Sequence, residues 1–254
     1  FLGSHVADTL SSAGYQVRLF DRSASPHLKP NQEMIIGDIM NLDQVIEAAR
    51  DCSIVYNFAA IADIDEAHNK PIPTVTINVL GNMHVLEAAR IAGARRFVFA
   101  SSVYVYSESG SFYRASKQAA ERFTETYHER YGLDYNILRY GSLYGRRADK
   151  RNGIYRMLFE AVKNHSITYK GSGEAMREYI HVEDAARMSV QVLAPEFANR
   201  HLILTGQEKM RIKDVMTMIS EILPWSVELH FDEANAVHHY EITPYAFHPR
   251  LGRK

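Results

Sequence analysis

Short apolar runs alternate along the chain with longer segments in which apolar residues recur every three to four positions. The runs at residues 54–57 and 97–100 are rich in β-branched and aromatic residues, which is typical of buried strands. The segments 42–49 and 75–92 have the periodicity of helices that pack on a sheet. Regular alternation of the two kinds of segment predicts an α/β fold with a doubly wound parallel sheet, whose ligands bind at the carboxyl edge of the strands.

The sequence begins inside a helical pattern. Residues 2–13 predict a helix that ends at Gly14, and residues 15–20 predict the strand that follows it. No strand pattern precedes that helix, and a buried sheet without a central strand would expose unpaired backbone groups. We therefore expect a chain that is truncated at both ends and lacks the first strand of the sheet.

The regular alternation stops after residue 140. Gly141 and Gly145 punctuate a loop, and a basic cluster follows at residues 146–151. Such a cluster is usually a solvated loop, and it would equally attract a diphosphate. Further patterns predict helices at 154–163, 184–193 and 212–223 and strands at 167–170, 201–204 and 227–231, which would form a smaller unit and the return to the sheet.

The composition is that of a globular protein: of 254 residues 46% are apolar and 23% are charged, and the formal net charge is −1. Because the chain has no basic excess and no apolar run of membrane-spanning length, we expect neither nucleic-acid nor membrane binding. The single cysteine, Cys52, cannot form an internal disulfide, so the cytoplasm is the expected location. His238 and His239 have no third ligand at a recognisable spacing, so we expect no metal site.

The main candidate for chemistry begins at the carboxyl end of the run 97–100, where Ser101 and Ser102 are followed by Tyr113 and Lys117. Residues four apart lie on one face of a helix. A phenol has a pKa of about 10, and an ammonium beside it favours the phenolate. The alternative is an ordinary amphipathic surface pair, which does not explain why Tyr113 and Lys117 follow a buried strand that ends in serine.

A strand that ends in Ser, followed by Tyr-x-x-x-Lys, resembles the catalytic set of the short-chain dehydrogenase/reductase superfamily. The segment 177–186, REYIHVEDAA, resembles the extended branch of that superfamily, the NAD-dependent nucleotide-sugar epimerase/dehydratase family. The resemblance implies a Rossmann-type sheet with a small C-terminal substrate-binding cap, NAD as cofactor and a homodimer formed by helices at 75–92 and 113–131. It also implies that residues 1–141 and about 178–206 form the NAD-binding domain, and that about 142–177 and 207–254 form the cap.

By the same resemblance, Ser102, Tyr113 and Lys117 are the catalytic residues. Tyr113 takes a proton from a sugar hydroxyl while hydride passes to the nicotinamide of NAD⁺, Ser102 bonds the reacting oxygen, and Lys117 also holds the nicotinamide ribose. Dehydratases of this family carry Asp-Glu directly after the catalytic Ser or Thr, where this chain has Val103 and Tyr104. We therefore expect a nucleotide-sugar epimerase; a reductase, dehydrogenase or dehydratase of the same family and a non-catalytic NAD-binding relative stay open as alternatives.

Asp21 lies eighteen residues after Gly3, where a carboxylate accepts hydrogen bonds from the ribose hydroxyls of NAD. Because Arg22 lies beside it, NADP stays open as an alternative cofactor. Ser101 is one residue out of phase with Ser102 and should face elsewhere. The residues that the resemblance assigns to the cofactor are Gly3, Asp21, Arg22, Asp38, Ile39, Phe58, Ala59, Ala60, Asn78, Ser101, Tyr113, Lys117 and Tyr140.

For the substrate, Arg177 is the main candidate, because its planar guanidinium suits phosphate oxygens. The loop from Tyr106 to Tyr113 is shorter than in typical sugar epimerases, and Gly141 and Ser142 replace a Phe-Asn pair whose Asn binds substrate. These departures leave the sugar unidentified. The predicted substrate residues are Ser102, Ser142, Asn152, Arg177 and Tyr179.

Overall fold

The computed structural model describes residues 1–235 and 240–241. The helices are α1 (Leu2–Ser12), α2 (Leu42–Ala49), α3 (Ile64–Asn69), α4 (Pro71–Val75), α5 (Gly81–Ile91), α6 (Ser111–Tyr131), α7 (Gly153–Asn164), α8 (Val182–Gln191) and α9 (Ile212–Ile222). The strands are β1 (Val17–Asp21), β2 (Gln32–Ile36), β3 (Ile54–Asn57), β4 (Arg96–Ser102), β5 (Asp134–Tyr140), β6 (Ser142–Tyr144), β7 (Ser166–Tyr169), β8 (Met176–His181), β9 (Arg200–Leu204), β10 (Lys209–Arg211) and β11 (Glu228–Phe231).

The main sheet is parallel and runs in the order β3-β4-β5-β9. Its central strand β4 alternates its side chains between two cores, because successive residues of a strand point to opposite faces. Phe97 and Phe99 pack in the core that α5 and α6 cover, whereas Val98 packs in the core beneath α8. Helices on both faces of a parallel sheet confirm the predicted doubly wound α/β fold.

Strands β1 and β2 form a second parallel ladder. Within residues 1–235 and 240–241, no backbone ladder joins β1 to β3. A cavity of about 2060 Å³ takes part of its lining from both strands and continues to the carboxyl end of β4. The parallel strands are therefore divided between two ladders, and this cavity lies between them and along the carboxyl edge.

A smaller layer follows β5. Strand β8 lies between β6, which is parallel to it, and β10, which is antiparallel. Strands β7 and β11 pair in parallel, and helices α7 and α9 cover them with a core that includes Met157, Ile167 and Met216. The division of the chain into an NAD-binding domain and a cap at the predicted boundaries remains a prediction.

Two elements differ from the sequence expectation. The helix predicted over residues 75–92 is interrupted by a π turn at Thr76–Leu80, and such turns occur often at functional sites. The glycine-punctuated loop after Gly141 contains β6, in which Ser142 pairs with Tyr179. Gly206 marks the tightest approach in this region, because a Cβ there would lie 1.9 Å from the carbonyl oxygen of Tyr179. Among the described helices, none is long and apolar enough to cross a membrane.

Candidate active site

The candidate active site begins at the end of β4. Ser102 is buried, and its hydroxyl accepts a hydrogen bond of 3.3 Å from the backbone N–H of Tyr104, which caps the 3₁₀ turn Val103–Tyr106. The same hydroxyl is hydrogen-bonded to the side chain of Tyr113. The strand end and the first turn of α6 are thus joined directly by the serine and the tyrosine that the sequence paired.

Helix α6 starts after Gly110, whose φ of 98° lies in the left-handed region. A Cβ on Gly110 would also lie 2.6 Å from the ring of Tyr104. Both constraints favour glycine at this position. The tight entry brings Tyr113 against Ser102 and places Lys117 one turn further along the same buried face.

Tyr113 and Lys117 are both buried, with 8% and 4% of their surfaces exposed. Burial raises the pKa of the Tyr113 phenol, and the hydrogen bond from Ser102 acts against that rise. Burial lowers the pKa of Lys117 to about 8, and the carboxylate of Glu121 acts against that fall. A lysine with this pKa is charged at neutral pH and loses its charge in mildly alkaline solution.

The spacing of Tyr113 and Lys117 suggested that the Lys117 ammonium contacts the phenol oxygen. In the structure its nearest partner is a different group. Its Nζ donates a hydrogen bond of 2.7 Å to the carbonyl oxygen of Ala100, and it lies 4.8 Å from the ring centre of Phe99 and 5.8 Å from that of Tyr113. Ala100 is the only acceptor that the described residues provide for this ammonium, which has three N–H donors. Lys117 is therefore held at the strand end with donors left for a ligand.

The large cavity opens beside these residues. It brings together most of the residues that the sequence assigned to the cofactor, namely Gly3, Asp21, Arg22, Ile39, Phe58, Ala59, Ala60, Ser101, Tyr113, Lys117 and Tyr140. Ser102 also lines it. The cavity thus extends from the exposed end of β1 to the buried Ser102, Tyr113 and Lys117.

Asp38 and Asn78 do not line this cavity, and local structure explains both exceptions. The carboxylate of Asp38 is exposed and accepts a hydrogen bond of 2.9 Å from the backbone N–H of Met40. Asn78 is buried, accepts 2.7 Å from the N–H of Ile61, and donates to the Ile61 carbonyl and to the hydroxyl of Ser116. Its amide holds the loop after β3 on α6, and its contact with the cofactor stays a prediction.

Two further hydroxyls have protein partners. Ser101 donates a hydrogen bond of 2.5 Å to Glu121 Oε1, and the hydroxyl of Tyr140 lies 2.6 Å from that of Ser189. The expectation that Ser101 faces away from Ser102 agrees with this arrangement. Both residues line the cavity, and each hydroxyl already has one protein partner.

The predicted substrate residues Asn152 and Arg177 form hydrogen bonds within the protein. Asn152 caps α7 by accepting 3.1 Å from the N–H of Tyr155, and its amide donates to the carbonyl of Leu143. Arg177 is buried and donates to the carbonyl oxygens of Met176 and Tyr240, each at 2.7 Å. Asn152 is therefore primarily a helix cap, whereas Arg177 is a buried cation whose described hydrogen-bond acceptors are carbonyls.

Ser142 and Tyr179 face each other across the β6-β8 ladder. The side chain of Ser142 bonds that of Tyr240, and the ring of Tyr179 packs in the core of the smaller layer. Of the five substrate residues, Ser102 and Asn152 line the large cavity and the other three do not.

Two aromatic residues were not singled out for this site by the sequence. The Tyr104 ring meets that of Tyr113 edge-on with centroids 6.1 Å apart, and it lies 4.7 Å from the Tyr240 ring. Tyr240 in turn covers the guanidinium of Arg177 at 4.2 Å. Tyr104 could have been suspected from its place two residues after Ser102, whereas no local pattern connects Tyr240 with this site.

No group of three or more His, Cys, Asp or Glu side chains that could hold a metal ion occurs in the part of the chain that the structure describes. His238 and His239 lie outside the described residues.

Comparison with known proteins gives a consistent result. The sequence profile of the NAD-dependent epimerase/dehydratase family matches residues 1–203. The chain is 28% identical over 221 residues to the UDP-glucose 4-epimerase of Mycolicibacterium smegmatis, covering 77% of this chain and 71% of that protein. It is 26% identical over 227 residues to the UDP-glucose 4-epimerase of Rhizobium leguminosarum bv. trifolii, covering 76% and 69%.

A solved structure supports the fold. The UDP-glucose 4-epimerase of Thermus thermophilus, crystallised in complex with NAD, superimposes with a TM-score of 0.84 over 100% of this chain and 92% of that one, at 24% identity. At this level of identity the likeness concerns the fold.

Proposed function

The chain belongs to the NAD-dependent epimerase/dehydratase family, and from that premise we propose that it is an NAD-dependent epimerase of a nucleotide-activated sugar. The observation that carries the proposal is the burial of Ser102, Tyr113 and Lys117 together at the wall of the large cavity. Several sequence relatives are named UDP-glucose 4-epimerases, which supports the same reaction for this chain.

Part of the cavity lining suits a dinucleotide. Small residues, Gly3, Ala59 and Ala60, line it where a pyrophosphate would pass close to the backbone, and Asp21 offers a carboxylate at the exposed end of β1. Lys117 offers the buried N–H donors that the described protein groups leave unused. We propose NAD as the cofactor, because Asp21 would repel the additional phosphate of NADP, although Arg22 lies next to it.

When bound, NAD would supply the acceptor for a hydride and its return to the same carbon. The residues of this chain carry out the proton transfer. Tyr113 takes the proton of the sugar hydroxyl and later returns it, and Ser102 stabilises the charge on the reacting sugar oxygen through a hydrogen bond. Lys117 supplies the nearby positive charge, which favours the ionised form of Tyr113. Ala100 fixes the position of that charge through its carbonyl.

The residues after Ser102 distinguish epimerisation from dehydration. Val103 and Tyr104 are both buried, and neither side chain is a carboxylic acid that could protonate a leaving hydroxyl. Epimerisation needs the hydride and one proton to leave and return, which the set of Ser102, Tyr113 and Lys117 suffices to support. A reductase would use the same residues, and it differs by consuming the nicotinamide cofactor.

The test is to incubate the purified chain with NAD⁺ and a panel of UDP-, dTDP- and GDP-sugars, following product stereochemistry by NMR and nicotinamide absorbance at the same time. We expect interconversion of two epimers without net change in NADH. Stoichiometric consumption or production of NADH would instead identify a reductase or dehydrogenase. Cofactor binding without any turnover would identify a non-catalytic relative.

We also propose a homodimer formed by the helices that the sequence singled out. Exposed apolar side chains on or beside these helices support this proposal: Val75, Leu80, Ile91, Phe112, Phe123 and Tyr131. Sedimentation velocity of the wild-type chain and of Phe123→Lys checks this, and a monomeric wild type would contradict it. The cytoplasmic location expected from the sequence stays a prediction.

A further inference from the structure

A buried polar network lies directly behind the candidate catalytic residues. Its centre is Glu121, which is only 6% exposed and lies on α6 four residues after Lys117 and eight after Tyr113. These three side chains therefore share one face of the helix. We call this set the glutamate network, whose members are Ser101, Tyr106, Glu121, Glu125, Arg139 and His201.

The carboxylate of Glu121 has a donor on each of two neighbouring strands. From β5, Arg139 donates through Nε to Oε1 at 2.9 Å and through Nη2 to Oε2 at 2.6 Å, the forked geometry that suits a carboxylate. From β4, Ser101 donates to Oε1 at 2.5 Å. The charge of Glu121 is thus compensated, and its position relative to β4 and β5 is fixed.

Arg139 is held from two other directions. Its Nη1 donates to the hydroxyl of Tyr106, and its Nη2 lies 2.7 Å from His201 Nδ1. A guanidinium can only donate, so Nδ1 is the acceptor and the other ring nitrogen carries the proton. That nitrogen lies 2.9 Å from Glu125 Oε1, which completes the network.

The glutamate network is linked to the candidate catalytic residues through their neighbours in the chain. Ser101, which bonds Glu121, immediately precedes Ser102, while Glu121 belongs to the helix that carries Tyr113 and Lys117. The Ser101–Glu121 bond therefore sets how the end of β4 meets α6. A displacement of about 1 Å between reacting groups can cost about a hundredfold in rate, so this contact is placed where it affects chemistry.

The charge of Glu121 gives a second link between the glutamate network and the candidate catalytic residues, through Lys117. The Lys117 ammonium is buried, and its bonded partner Ala100 offers a neutral carbonyl. The groups around it are Tyr113 and Glu121 on α6 and Phe99 and Ala100 on β4, and Arg139 on β5 bonds Glu121. Glu121 is the charged group that raises the pKa of Lys117.

We propose that Glu121 is a positioning residue of the candidate active site, which aligns Ser102 with Tyr113 through Ser101 and places its carboxylate on the helix face of the buried Lys117 ammonium. This inference rests on the proposed function for its catalytic meaning. Its two arms, geometry and charge, can be separated by substitution.

The charge arm is tested by NMR titration of Lys117 in protein labelled with ¹³C at the lysine side chains, with Lys117→Arg used for assignment. In Glu121→Gln, which keeps the size of the side chain, the titration midpoint is expected to fall by about 1 pH unit, the scale of a neighbouring charge. The matched control is Glu125→Gln, the same change one turn along the helix, which is expected to leave the midpoint in place. An unchanged midpoint in Glu121→Gln overturns the proposal.

Because Glu121→Gln leaves Arg139 without its counter-ion, the double variant Glu121→Gln/Arg139→Gln provides a second measurement if the single variant does not fold. Its Lys117 midpoint is also expected below that of the wild type, since Glu121 is the group that acts on this pKa. A wild-type midpoint in the double variant contradicts the charge arm.

The geometry arm is tested with Ser101→Ala, which removes the hydroxyl and keeps the Glu121 charge. We expect kcat to fall about tenfold or more with the Lys117 midpoint unchanged. In Glu121→Gln the alkaline limb of the kcat profile should move to lower pH together with the NMR midpoint. Wild-type kcat in Ser101→Ala overturns the geometry arm. If the wild type turns over none of the sugar nucleotides, the proposed function fails, whereas the NMR titration still decides whether Glu121 charges Lys117.

Discussion

The buried face of α6 contains two polar regions that differ in how their charges are compensated. In the first turns, Lys117 is buried against a carbonyl oxygen and an aromatic ring, and its pKa is lowered to about 8. One turn further, Glu121 is equally buried and has the forked guanidinium of Arg139 and the hydroxyl of Ser101.

The difference shows how one helix can contain both a reactive and a structural ionic site. A buried ammonium without a bonded carboxylate is destabilised in its charged form, which brings its pKa close to physiological pH. A carboxylate with matched donors holds the surrounding strands and stays in one place. Four predictions test this distinction, in order of decreasing expected effect.

Tyr113→Phe should abolish turnover and leave NAD binding largely intact. The phenol is the proton-transfer group, and the loss of such a group typically costs between about 10²- and 10⁴-fold in rate. Turnover is measured with the sugar nucleotide identified in the panel, and NAD binding by calorimetry. Activity close to that of the wild type would remove Tyr113 from the mechanism and, with it, the reactive character of the first region.

Arg139→Met should lower the free energy of unfolding by about 3–5 kcal/mol, because it leaves the buried Glu121 carboxylate without its main partner. Replacing both partners, Glu121→Leu with Arg139→Met, should cost less than the single change, since no buried charge then remains unpaired. Urea unfolding of the three proteins at pH 7 measures both effects. A double variant that is less stable than Arg139→Met would show that the pair does not act as one unit.

Lys117→Met should change how stability depends on pH. Burial lowers the pKa of this lysine from its ordinary value of 10.5 to about 8 in the folded protein, so between those pH values the unfolded chain holds a proton that the folded chain has lost. Stability of the wild type relative to Lys117→Met should therefore rise with pH in this window, by about 3 kcal/mol in total. Denaturant unfolding at pH 7.5, 9 and 10.5 checks it. Parallel stability curves would mean that Lys117 titrates normally.

Tyr106→Phe should have the smallest effect, a loss of about 0.5–1 kcal/mol in the free energy of unfolding. Tyr106 is 40% exposed, and its hydroxyl accepts a hydrogen bond from Arg139 at the edge of the glutamate network, where water can replace it. The same urea experiment measures this change. A loss as large as that of Arg139→Met would place Tyr106 at the centre of the network instead.

Much of the fold could be predicted from the sequence, because its signals are local. The helix α2 and the strand β3 begin and end where their patterns indicated, and the helix over residues 111–131 follows the predicted face of Tyr113 and Lys117. The π turn at Thr76–Leu80 could not be predicted from the local pattern, since the apolar periodicity continues through it. The short strand β6 exists because β8 lies beside it, and β8 is more than thirty residues away in the chain.

The site shows the same division. The spacing of Ser102, Tyr113 and Lys117 placed them together, because a strand end and one helix face are fixed by neighbours in the chain. Asn78, by contrast, carries the side chain that the family resemblance assigns to the cofactor, yet its amide is used by the backbone of Ile61. Hydrogen-bond partners of this kind depend on which loops meet after folding.

The sequence by itself therefore determined the α/β fold, the positions of most helices and strands, and the face on which Tyr113 and Lys117 lie, because these follow from periodicities of two and of three to four residues. Only the tertiary structure decided that Lys117 rests on Ala100, that Ser101 bonds Glu121 and that Arg139 joins β5 to α6. The physical reason is that burial and charge compensation are properties of packed neighbours. Residues 18 or 20 positions apart become partners only when strand and helix are in contact.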